Sequence, residues 1–241
     1  MDISNRLAFL VSSLITGYPD DEVAENLKIL LEDEEVDQSC SSVDSELWSE
    51  LKTKLCLAFS SEEQIQNLRS AYIDIFDRGQ SANPPYESDY CQNQAMSKGV
   101  ELADLAGFYR AFGLDFGVEG SAREMLDHIS LELEFYSYLL MKQNALSEKG
   151  DQEGVEIVLD ARKKFLSDHL GRFVGAIGER PGVAGHHFYS SVYSWCNKLI
   201  TKECKELEIQ PIPAAFFGQK NRDPETMSCG TIGDCSAGLM K

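Results

Sequence analysis

The chain has 241 residues, 43% of them hydrophobic, enough to bury a sizeable core and too apolar for global disorder. Forty acidic residues against 22 basic ones give a formal net charge of −18, which repels a phosphate backbone and excludes nucleic-acid binding as an expectation. No apolar run reaches the roughly 20 residues that cross a bilayer, so no stable membrane insertion is expected.

Leu7, Leu10, Val11 and Leu14 fall on one helical face, with Ser4 as a possible cap and Gly17-Tyr18-Pro19 as the stop. Asp2 precedes this apolar stretch and no small-residue cleavage site follows it. It is expected to be a first helix rather than a leader, and the protein to be cytoplasmic. A second helix is predicted over residues 20–31, with Val23, Leu27, Leu30 and Leu31 on one side. The acidic, serine-rich stretch "EDEEVDQSCSSVDSE" reads as a solvated loop. Helices follow over residues 46–59 and 61–77. The segment "NPPYESDY" then breaks the pattern: two prolines remove backbone donors and stiffen the chain near residues 79–90.

Beyond it, residues 92–112 read as helix closed by Gly113. Residues 121–146 read as the longest helix, opened by a Ser121/Glu124 capping box. Helices are also predicted over residues 152–177 and 185–208, stopped by Pro211 and Pro213. The expectation is an all-α protein: one globular, bundle-like domain of about 8–10 helices over residues 1–210, with a proline-containing hinge and a flexible Cys/Gly-rich tail over residues 211–241. Seven scattered cysteines, an odd number, suit reduced thiols; the role of Cys229 and Cys235 in the tail stays open.

Few constellations carry chemistry. Asp127-His128 and Asp168-His169 both fall in predicted helices, and His128 stands four residues from Glu124 and from Glu132. That spacing can ligate a metal, yet the chain has no Glu-x-x-His pair of the kind that di-metal bundles repeat. A histidine hydrogen-bonded within the fold is the preferred reading, with no metal and no cofactor. Gly171-x-x-x-Gly175 reads as a close helix crossing. No nucleotide fingerprint or nucleophile elbow is present in the sequence. "PPYES" is either a rigid connector with a buried tyrosine or a working surface carrying Tyr86 and Glu87.

Three segments taken together point further. "PPYESDY" from Pro84, "DHISLELEFYSYLL" from Asp127 and "FLSDHLGRF" from Phe165 occur in an order and spacing that resembles the TorD/DmsD/NarJ family of redox-enzyme maturation chaperones. The resemblance covers most of residues 5–205. It implies a helical cytoplasmic chaperone, not an enzyme, for a molybdopterin oxidoreductase. Its ligand would be the catalytic subunit's twin-arginine signal peptide or another part of that subunit, held until the cofactor is inserted. Carried over by position, the peptide-binding candidates are Tyr86, Glu87, Ser88, Asp127, His128, Glu132 and His169. Leu133 and Phe135 match the pattern as core, Leu170 matches the later helix, and Phe173 stands where the family often has tryptophan. The groove is expected between the Tyr86 loop and the Asp127 helix, with an acidic rim and an apolar floor. A monomer is expected, with a domain-swapped dimer as a minor form exchanged about the hinge. The alternatives are a helical metal- or cofactor-binding enzyme using His128, Glu124 and His169, and an adaptor for an unrelated partner.

Overall fold

The computed structural model describes residues 5–77, 82–90, 94–114 and 125–216. Helices α1 (Arg6–Thr16), α2 (Asp21–Glu32), α3 (Glu34–Val43), α4 (Ser45–Ala58) and α5 (Glu62–Tyr72) form the N-terminal half. After the proline segment come α6 (Gln94–Ala111), α7 (Ile129–Glu148), α8 (Gln152–Phe165), α9 (Gly171–Gly178), the single turn α10 (Pro181–Ala184) and α11 (His187–Glu206). No strand occurs among the described residues, only an isolated antiparallel bridge between Tyr86 and His128. The all-α expectation holds.

Helix starts follow local chemistry. Asp20, Asp33, Asp44, Ser61 and Asp151 each accept a backbone N–H from the first turn of the helix they precede. Gly113 closes α6 at φ +82°, a left-handed position that a side chain would strain. The stretch expected to be a loop is α3. Val36, Cys40 and Val43 recur at helical spacing and are buried, Asp33 caps the start, and Glu34, Glu35 and Asp37 face the positive end of the helix dipole. Its charged residues merely cover the solvent side, and Asp37 accepts from Trp48 Nε1 at 2.9 Å.

Two helices predicted as continuous are not. The 152–177 helix carries a π-helical turn at Leu166–Leu170, and the helix after Ser61 ends in another at Ile73–Asp77. Extra residues of this kind re-aim side chains within a helix and cluster at functional sites. The helix expected from Ser121 is described only from Ile129, with His128 in extended conformation as its N-cap; Ser121 and Glu124 lie outside the described residues. The glycine pair does sit at close approaches. A Cβ at Gly171 would fall 2.3 Å from the Leu166 carbonyl oxygen and 2.6 Å from Pro211, and one at Gly175 would touch Asn197 of α11.

Helix α1 lies along α7, α8 packs on the other side of α7, and α11 runs against α9, α1 and α4. Trp48 and Trp195 meet at the centre, ring centroids 5.2 Å apart. Beside them a buried polar knot ties four elements. Arg162 of α8 pairs with Glu203 of α11 and also donates to Gln143 of α7. Tyr136 Oη donates to Glu203 at 2.8 Å, and Asn5 Nδ2 reaches the other Glu203 oxygen at 3.0 Å. Residues 211–216 turn back onto the bundle: Ala214 N donates to Arg172 O at 2.8 Å and Phe216 packs under Arg180. Cys229 and Cys235 lie outside the described residues.

Candidate functional site

The proline segment is pinned on both sides. Asn83 Nδ2 donates to Ile75 O at 3.0 Å, at the π turn, while Gly182 N donates to Asn83 Oδ1 at 2.9 Å. Pro84 O accepts from Tyr90 Oη at 2.8 Å. Having no N–H to satisfy, the prolines leave their carbonyls for tertiary partners, and Pro85 O takes Ile129 N at 3.0 Å. Glu87 N donates to Asp127 O at 2.9 Å, and Ser88 N to Asp127 Oδ2 at 3.2 Å. The Tyr86 and His128 rings meet edge to face at 5.2 Å. The loop and the start of α7 are thus hydrogen-bonded together, and the groove expected between them is closed.

Burial separates the candidates. Tyr86 is half-buried, whereas Glu87 and Ser88 are 1% exposed and Asp127, His128 and Glu132 are fully enclosed. His128 Nδ1 accepts from Ser130 N at 3.1 Å, so its Nε2 carries the proton and faces Tyr72 Oη at 3.1 Å. Burial drives its pKa down to about 3, and it stays neutral. Both ring nitrogens are engaged inside the fold, where His128 ties Tyr72 of α5 to the first turn of α7.

His169 sits on the second π turn. Its Nδ1 meets Glu87 Oε2 at 3.0 Å and its Nε2 meets Asp104 Oδ2 of α6 at 3.2 Å. Burial alone would depress the imidazole; Glu87, Asp104 and Glu101 outweigh it and raise the pKa. Burial pushes the Glu87 carboxyl up, only partly offset by His169, and pushes Glu132 well up with Glu87, Asp127 and Glu101 adding to the effect. Glu132 makes no hydrogen bond through either carboxylate oxygen.

Two clefts open above this buried layer, and Asp104 lines both. The first, of about 630 Å³, runs between α6, α7 and α8 over Phe108, Phe112, Leu146, Ile157 and Val158, with Lys142 and Lys164 laid over the Phe112 and Phe108 rings. The second, of about 910 Å³, is lined by Glu101, Asp104, Asp168 and His169, with Arg172 as its basic member. Sequence reasoning missed the α6 side of both. Glu101, Asp104 and Phe108 recur at i, i+3 and i+7 and so share a face, a signal visible in the sequence once residues 92–112 are read as helix.

The family model described as "Nitrate reductase delta subunit" matches residues 38–178, a span holding the proline loop, the Asp127-His128 start and the His169 turn. The chain belongs to the nitrate reductase delta subunit family. It is accordingly a redox-enzyme maturation chaperone, acting on a molybdoenzyme's catalytic subunit, and not a catalyst. A crystal structure of a candidate redox enzyme maturation protein from Archaeoglobus fulgidus is similar at 20% identity and a TM-score of 0.45, covering 81% of this chain and 93% of that one. No curated protein matches the chain. Among the described residues, no helix is long and apolar enough to cross a membrane.

In this family member, the loop geometry makes Asp127 a structural residue. Asp127→Asn keeps the shape but replaces a charge-assisted bond to Ser88 N by a neutral one. It should lower stability by about 1–2 kcal/mol. Paired thermal melts and peptide titrations check this; a loss of affinity with unchanged melting would place Asp127 in direct contact with the ligand.

Proposed function

We propose that the chain binds the twin-arginine signal peptide of a molybdenum-cofactor oxidoreductase in the cytoplasm and holds the catalytic subunit for cofactor insertion. One observation carries this: an apolar cleft and an acidic cleft share Asp104 as a lining residue and so lie on either side of it. Such a peptide has a basic start and an apolar middle. Arginines would lie against Glu101, Asp104 and Asp168, and the apolar part over Phe108, Phe112 and Ile157. Charge speeds the encounter, and apolar burial supplies the affinity. Tyr86, Glu87, Ser88, Asp127, His128, Glu132 and His169 then shape the clefts from beneath, fixing α6 relative to α7 and the π turn. We take the monomer as the working form, with exchange of halves about residues 79–90 giving a minor dimer.

Calorimetric titration with a peptide bearing two adjacent arginines and an apolar stretch tests the reading. Ile157 is 59% exposed, so Ile157→Glu leaves the fold intact while placing a charge in the apolar floor. Affinity should drop by more than about tenfold, or 1.4 kcal/mol, with unchanged melting. Equal affinity for both proteins would move the site elsewhere. No binding by the wild type would point to another part of the catalytic subunit.

A further inference from the structure

Three chain segments far apart in sequence converge at the acidic cleft, two lining it and one buried behind His169. Glu87 comes from the 3₁₀ turn after the prolines, Glu101 from α6 and His169 from the π turn. Their ligand-type atoms all lie within 4.8 Å of one another. A tetrahedral ion with bonds of about 2.1 Å spaces its ligands by about 3.4 Å. Glu87 Oε2 and His169 Nδ1 stand 3.0 Å apart, so opening that contact by a few tenths of an ångström makes room for an ion between them.

A further buried carboxylate lies close by. Glu132 is fully buried, neither of its oxygens has a hydrogen-bond partner, and Glu87 and Glu101 are near enough for their charges to disfavour its ionisation. Buried carboxylates without partners are costly and are answered either by protons or by a cation. Arg172, whose charge reaches Glu87, donates its Nη1 to the Asp168 carbonyl at 2.9 Å. The remaining ring nitrogen has the arrangement typical of a ligating histidine: Nε2 faces the Asp104 carboxylate at 3.2 Å, which fixes the ring and leaves Nδ1 for the ion. His169, Glu101 and Asp104 all line the cleft, giving an entry path and open coordination positions.

We propose that Glu87, Glu101 and His169 bind a first-row divalent transition-metal ion, with Asp104 orienting the histidine. One imidazole and two carboxylates suit Mn²⁺, Fe²⁺, Co²⁺, Ni²⁺ or Zn²⁺ better than the all-oxygen shells of Mg²⁺ and Ca²⁺. Binding displaces the Nδ1 proton of His169 to solvent, and the ion takes over the charge that this proton balanced. The spacing search along single helices missed this set, because its members lie on three separate elements.

Titration of the full chain, stripped with chelator, against Co²⁺ followed by absorbance tests it without reference to any peptide. One equivalent should bind, with the weak visible bands of a nitrogen–oxygen site. Glu101→Gln, a change at a half-exposed helix position, and His169→Gln should each weaken binding by more than about tenfold. Melting curves check that both variants fold; should His169→Gln fail to, Glu101→Gln decides alone. A Cys229→Ser/Cys235→Ser variant should bind as the wild type does. Absence of binding, binding untouched by Glu101→Gln, or binding lost with the cysteines would each overturn the proposal. Glu101 and Asp104 also face the proposed peptide's arginines, so an ion here would compete with them; the Co²⁺ titration contains no peptide, and its outcome does not decide peptide binding.

Discussion

Arg162→Met should destabilise the chain by about 3–5 kcal/mol, because it leaves Glu203 buried without its cation. Both side chains are 2% exposed, and Tyr136 and Asn5 alone must then answer the carboxylate. For a chain of this size that corresponds to a melting shift of roughly 6–20 °C. The double variant Arg162→Met/Glu203→Leu should recover much of the loss, since replacing both partners removes the orphaned charge. A loss under about 1 kcal/mol for Arg162→Met, or a double variant that loses the sum of what Arg162→Met and Glu203→Leu lose singly, would show that the knot is not a coupled unit.

Acid should destabilise the protein through His128. Its folded pKa, about 3, lies below the ordinary value of 6.5. Between those two values the unfolded chain takes up a proton that the fold refuses, so stability falls as pH drops through that window. The full difference is on the order of 5 kcal/mol. His128→Asn keeps an oxygen to cap Ser130 N but cannot titrate. It should be less stable at neutral pH, through the lost Tyr72 contact, yet decline less on acidification. Glu87, Glu132 and His169 act in the opposite sense. Their pKa values are raised, so the stability they hold below their ordinary values is lost as pH rises through the folded ones. Denaturant melts from pH 4 to 9 should therefore show decline on both flanks, with the acid flank flattened in His128→Asn. Parallel acid limbs for the two proteins would remove His128 from the balance.

Much of the architecture is legible from apolar spacing and caps. Leu7 to Leu14, the Gly113 stop and the α11 pattern all read directly as helix and boundary. The α3 helix hid because its three buried residues are diluted by acids and serines, which suit a solvated helix face as well as a loop. The π turns hid because nothing in a residue list marks an inserted position, and one of them aims His169. Asp127-His128 looked like helix interior; extended backbone at His128 makes it a cap, and that depends on the hydrogen bonds to residues 85–88. The same pairing explains why Glu87 is buried although "PPYES" reads as surface. Local sequence shows a charged loop residue, and only the fold supplies His169 beneath it. The fold brings the three motif segments together at the loop, the start of α7 and the π turn, while the clefts also depend on α6, which the motif omits.

The most direct measurement is site-specific photo-cross-linking in the native host. A photoreactive residue at position 157 lies in the proposed floor, and one at position 29, on exposed Ile29 of α2, serves as control. Mass spectrometry of the adducts identifies both the captured protein and the captured segment. Adducts are expected from position 157 to the twin-arginine segment of a molybdoenzyme catalytic subunit, and none from position 29. Equal capture of that segment from both positions, or capture at position 157 of no molybdoenzyme subunit at all, would contradict the proposed function.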